Sequence, residues 1–137
     1  EHAPINVPRI IRLAFDVLAV QYQVKVGDKR VSRCKSRTAI VGVDPHTGEL
    51  LTNEVFVWNA AKDTYQYSGR SYVVESVMEM RGWDEMKVRD ELKRRQEVLE
   101  WTRIKEINNY EDISKIIVAY NREPQMMMKI VRQDLYG

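Results

Sequence analysis

The feature that most limits what this chain can fold into is a change of hydrophobic period near Gly69. On the N-terminal side, β-branched and aromatic residues alternate with polar ones in short runs separated by turn residues, the pattern of strands. Beyond it, apolar residues recur three and four positions apart, the spacing of one helix face. A chain divided in this way reads as an α+β protein, with strands in residues 1–68 and helices in residues 69–137.

In the first part, Pro8 followed by Ile10, Ile11, Leu13, Ala14 and Phe15 reads as a short helix that ends at Asp16. The next strand opens with the continuous apolar run Val17, Leu18, Ala19, Val20, which suits a strand buried on both faces between parallel neighbours. Only antiparallel candidates follow it. Val26-Gly27-Asp28-Lys29 is a turn into a strand over residues 30–43, where Arg33, Lys35 and Arg37 take alternate positions and are expected on one face. Asp44-Pro45-His46-Thr47-Gly48 should close a hairpin with a strand over 50–58. A turn at Asn59-Ala60-Ala61-Lys62-Asp63 then leads to the aromatic strand 64–67, completing an antiparallel meander. In the second part, Ser71 can cap a first helix that stops at Gly82, and Asp84 a second that reaches about Ile104. Asn109 with Asp112 marks the start of a third, and Pro124 opens the last.

Composition, 44% hydrophobic and 31% charged, is that of a packed globular fold. The apolar run 17–20 is far too short for a membrane span, which takes about 20 residues. The chain opens on Glu1 with no methionine and no leader-like segment, so the start reads as a trimmed end and a cytoplasmic location is expected. Cys34 is the sole cysteine, which excludes an internal disulfide and offers no metal-ligand spacing with His2 or His46. No glycine begins a G-x-x-x-x-G-K-[ST] loop and no G-x-G-x-x-G is present, so no cofactor-binding or catalytic residue is assigned. Asp16 precedes its apolar strand, whereas a magnesium-linked acid would follow one. Glu75, Glu79, Asp84 and Glu85 read as capping and surface charge. Of Met126, Met127 and Met128, only one or two can face a core at helical spacing.

A net charge of +2 argues for no particular partner, but the basic residues are concentrated: Lys25, Lys29, Arg30, Arg33, Lys35 and Arg37 are opposed only by Asp28. The alternative is a small basic nucleic-acid-binding or protein-interaction module, in which Arg33, Lys35 and Arg37 with nearby tyrosines would suit single-stranded nucleic acid through phosphate contacts and stacking. A solvated sheet face is the preferred reading, so nucleic acid is not the expected partner. Arg9 and Arg12 are candidates for contact with a phosphate or a neighbouring subunit.

Several stretches together resemble one family. Ala3-Pro4-Ile5-Asn6-Val7-Pro8-Arg9-Ile10, the strand from Asp16 to Gln21, Val26-Gly27-Asp28-Lys29-Arg30-Val31, the long segment from Val41 through Asp44-Pro45-His46-Thr47-Gly48 to Phe56, and Ser68-Gly69-Arg70-Ser71-Tyr72 stand in the order found near the C-terminus of archaeal secretion ATPases. These are the motors of type II secretion, type IV pili and the archaellum. The similarity extends through Arg81-Gly82-Trp83 and the helices after it. It implies the end of a RecA-like domain in residues 1–68 and a helical C-terminal lobe in 69–137. It also implies a hexameric ring of identical copies at the inner face of the membrane, acting on a membrane platform protein. ATP and magnesium would belong to the parent protein. The family's phosphate loop, metal-binding acid and histidine box have no counterpart here, and His2 does not fit that box. The chain is therefore expected to contribute subunit contacts and to couple motion, not to hydrolyse ATP by itself.

Overall fold

A computed structural model describes residues 16–137. The expected opening helix, with Arg9 and Arg12, lies outside the described residues, as does His2. Two compact units divide the chain after Arg81. The change of secondary structure comes earlier, near Gly69, so the first helix belongs with the sheet.

In the first unit, β1 (Val17–Val26), β2 (Lys29–Val43), β3 (Leu50–Asn59) and β4 (Thr64–Tyr67) form one sheet in sequence order, every neighbour antiparallel. The β1–β2 link is the two-residue loop Gly27-Asp28. Gly27 has φ +59 there, the left-handed conformation that the first position of a tight hairpin turn requires. The β2–β3 link is organised by Asp44, whose Oδ1 accepts from the backbone N–H of His46 at 2.7 Å and Thr47 at 3.0 Å. These bonds hold the Asp44 carboxyl below its ordinary pKa. Asn59 does the same for the β3–β4 turn, accepting from the N–H of Ala61 and Lys62.

Helix α1 (Tyr72–Arg81) packs against β2, with the N–H of Tyr72 donating to Asn53 Oδ1 at 3.0 Å. Ser71 Oγ accepts from the N–H of Val74, the cap that its position suggests. This unit is thinly packed: Ala39 and Val55 are its buried apolar side chains among the described residues. The expectation for β1 is met in part. The strand exists, but its partner is β2 in antiparallel pairing, and no strand pairs with its other edge among the described residues. Val17, Leu18 and Val20 are 50%, 54% and 41% exposed. A hairpin partner satisfies one edge of a strand and leaves both faces uncovered, so residues suited to double burial stand in solvent.

The second unit consists of α2 (Glu85–Ile104), α3 (Tyr110–Arg122) and α4 (Pro124–Tyr136). Asp84 Oδ1 accepts from Lys87 N–H at 2.8 Å and Asn109 Oδ1 from Asp112 N–H at 2.9 Å, so two local caps set where α2 and α3 begin. Proline in the first turn of α4 fixes the bend after Arg122. The core joins Val98 of α2, Tyr120 of α3 and Met127, Met128 and Val131 of α4, with Trp101, Ile116 and Leu135 packed around it. Its margins are tied by polar bonds. Trp101 Nε1 donates to Asp134 at 2.8 Å, Arg132 Nε to Glu97 at 2.8 Å, and the Tyr120 hydroxyl to Glu91 at 3.0 Å.

Candidate functional site

The basic strand does not present one cationic face. Arg33 pairs across from Tyr22 and Arg37 from Ala19, and a register shift between Val20 and Gln21 leaves Lys35 without a cross-strand partner on β1. That shift interrupts the alternation that would set all three on one face. The expectation of three basic side chains on one face assumed an unbroken period of two.

Arg33 is also engaged. Its Nε and Nη2 donate to the two carboxylate oxygens of Asp63 at 2.8 and 2.7 Å, and Trp58 Nε1 donates to Asp63 Oδ1 at 2.9 Å. This forked pair holds the Asp63 carboxyl down to about 2, the Arg33 hydrogen bonds contributing most and the Trp58 bond next. Lys35 Nζ lies 5.9 Å from the ring centroid of Tyr22, a cation–π distance. Arg37 lies opposite Phe56, whose ring is 5.1 Å from that of Tyr67. The Tyr65 hydroxyl accepts from the N–H of Cys34. What reads in sequence as a phosphate-binding row is, in three dimensions, a structural ion pair, a lysine on a tyrosine ring, and an arginine beside aromatic side chains. His46 is exposed in its turn, and among the described residues no cluster of three histidine, cysteine or acidic residues could hold a metal.

Two other surfaces stand out. The first is the edge of β1 left unpaired among the described residues, with both faces of the strand, at Val17, Leu18 and Val20. The second is a groove of about 590 Å³ in the angle between α3 and α4. Val118, Ala119, Met126, Met127 and Ile130 form its walls, with Lys115 and Arg122 along the α3 side and Glu123 at the bend. Met126 is 61% exposed here, while Met127 and Met128 are buried in the core. The methionine triplet thus divides into two core residues and one surface residue. The spacing of the triplet signals that division, but nothing in the sequence signals that Val118 and Ile130 would join Met126 in one groove.

No known protein-family profile matches the chain. It is similar to three uncharacterized proteins of Methanocaldococcus jannaschii. It is 32% identical to MJ1287 over 85% of its own length, 31% identical to MJ0900 over 85%, and 23% identical to MJ0781 over 94%. In each case the chain spans less than half of the relative: 43% of MJ1287, 22% of MJ0900 and 18% of MJ0781. Among the described residues no helix is long and apolar enough to cross a membrane.

Proposed function

We propose that this chain is the C-terminal part of a RecA-like motor ATPase that drives secretion, pilus or archaellum assembly. In that role it makes subunit contacts in a hexameric ring and passes nucleotide-driven motion to a membrane platform protein at the inner face of the membrane. The observation that carries the reading is β1. A strand that is apolar on both faces, and unpaired along one edge among the described residues, is suited to a place in a larger sheet whose remaining strands would come from elsewhere in the polypeptide. The ordered stretches that resemble archaeal secretion ATPases support the same reading. So do the relatives, which are longer archaeal proteins that share this segment and differ in how much else they carry.

ATP and magnesium belong to the parent protein in this reading. Among the described residues no group of three histidine, cysteine or acidic side chains could hold a metal. No catalytic step is assigned to them. A nucleic-acid role is disfavoured, because Arg33 is held by Asp63 and Lys35 lies against the Tyr22 ring.

Two measurements test the proposal. The purified chain should show no magnesium-dependent ATP turnover, whereas the polypeptide extended upstream of Glu1 should turn over ATP. Turnover by the chain itself, after controls for contaminants, would sink the reading. In the extended protein, Leu18→Lys should place a charge inside the completed sheet and lower stability by roughly 3 kcal/mol. In the chain alone, where Leu18 is exposed, the same change should fall within about 0.5 kcal/mol. Equal, small effects in both would mean that nothing covers β1.

A further inference from the structure

The groove between α3 and α4 has the form of a site for a helix. Its walls are apolar side chains from two helices that meet at a proline-fixed bend, and one of them, the exposed Met126, is flexible enough to adapt to an inserted surface. Its charge is mainly basic, two cations against the single acid Glu123 at the bend. Lys115 and Arg122 stand on α3 at either end of Val118 and Ala119, seven positions apart, or about 10.5 Å along the helix. Arg122 makes no ion pair among the described residues, and the Lys115 contact with Asp112, at 3.6 Å between exposed groups, holds it weakly. The complementary helix therefore carries acidic residues between apolar ones within two to three turns.

Helix α1 has that surface. Tyr72, Glu75, Ser76, Glu79 and Met80 fall on one side of its ten residues. Met80 is 81% exposed and Tyr72 38%, and they are eight positions apart, or about 12 Å, which matches the span of the groove. Glu79 makes no ion pair among the described residues, and Glu75 is bonded only to the highly exposed Arg70. Another exposed apolar helix row, Leu92 and Leu99 of α2, is flanked by Arg89, Arg95 and Arg103, the same sign as most of the groove's charge.

We infer that the α3/α4 groove of one copy of this chain takes the acidic, apolar face of α1 from a second copy. The contact joins unlike surfaces, so it is head-to-tail, and repetition closes a ring or extends a filament. Glu79 and Glu75 then lie toward Arg122 and Lys115, and Tyr72 and Met80 replace solvent against Val118, Met126 and Ile130. The inference deepens the ring reading above by naming one subunit contact, and its test involves no ATP, so the two can fail separately.

Sedimentation of the full chain should show self-association at concentrations up to about 100 μM, weakened by added salt. Arg122→Glu and Glu79→Arg should each weaken it about tenfold, with thermal melts of the dilute proteins unchanged because both residues are exposed. An equimolar mixture of the two variants should recover association, since each reversed surface then meets its complement. Three results would overturn the inference. One is a chain that stays monomeric across that range. Another is association indifferent to both reversals and abolished instead by Leu18→Lys at the β1 edge. The last is a mixture that associates no better than either variant alone.

Discussion

Glu91 is the most heavily bonded acid in the helical unit, accepting from Arg94, Arg95 and the hydroxyl of Tyr120. Partial burial by itself would push its carboxyl upward, but the three donors together outweigh that and hold it down to about 2. The folded-state pKa lies below the ordinary glutamate value, so the stabilising contribution is fully present above about pH 4.5 and is lost as pH falls through about 2. Glu91→Gln should therefore lower the stability of this unit by about 2 kcal/mol at neutral pH, and the difference from the unsubstituted protein should shrink toward zero near pH 2. Urea unfolding followed by helical circular dichroism at both pH values measures this. A constant difference would mean that packing, not charge, is what the side chain contributes. Asp63 has a carboxyl lowered to a similar value by Arg33 and Trp58. Unlike Glu91, whose arginine partners sit one turn along the same helix, Asp63 draws Arg33 from a strand thirty residues away. Helical spacing announces the first contact; no local pattern announces the second.

Among the elements, α4 decides whether the helical unit has a core, since it supplies Met127, Met128 and Val131. Met128→Ala should cost about 3 kcal/mol, from lost burial and the cavity left behind, while Met126→Ala in dilute solution should stay within about 0.5 kcal/mol. Denaturant midpoints of the two variants would read the difference directly, and equal losses would mean that Met126 also lies inside. Such placements were legible in the sequence to the extent that they are local. Ser71, Asp84 and Asn109 cap the helices that their positions suggest, because a cap is a bond across three residues. All four strands and the order of the meander were legible through turn residues and alternation. The sidedness of β2 was not, because the irregularity at Lys35 interrupts the alternation and leaves no mark in composition. The exposure of β1 was not either, because an apolar run states what a strand is suited to and not which strands are present to cover it.

At the scale of the whole molecule, the two units differ in how far each is complete. Residues 82–137 enclose a core contributed by all three helices and close its margins with the Trp101–Asp134, Arg132–Glu97 and Tyr120–Glu91 bonds. Residues 16–81 bury Ala39 and Val55 and leave Val17, Leu18, Val41, Leu51, Phe56, Tyr65 and Tyr67 in solvent. Burial is the main favourable term against chain entropy, and units near 60 residues are marginal even when well packed. The helical unit should therefore fold when expressed as residues 82–137, with a cooperative thermal transition. The strand unit expressed as residues 16–81 should give a broad, non-cooperative one and bind a hydrophobic dye. Adding the upstream polypeptide should restore cooperativity to the strand unit, because it would cover β1 without changing any contact inside residues 16–81. A sharp transition for residues 16–81 alone would remove the physical reason for an upstream sheet. A molten helical unit would instead mean that its core depends on groups beyond residues 82–137.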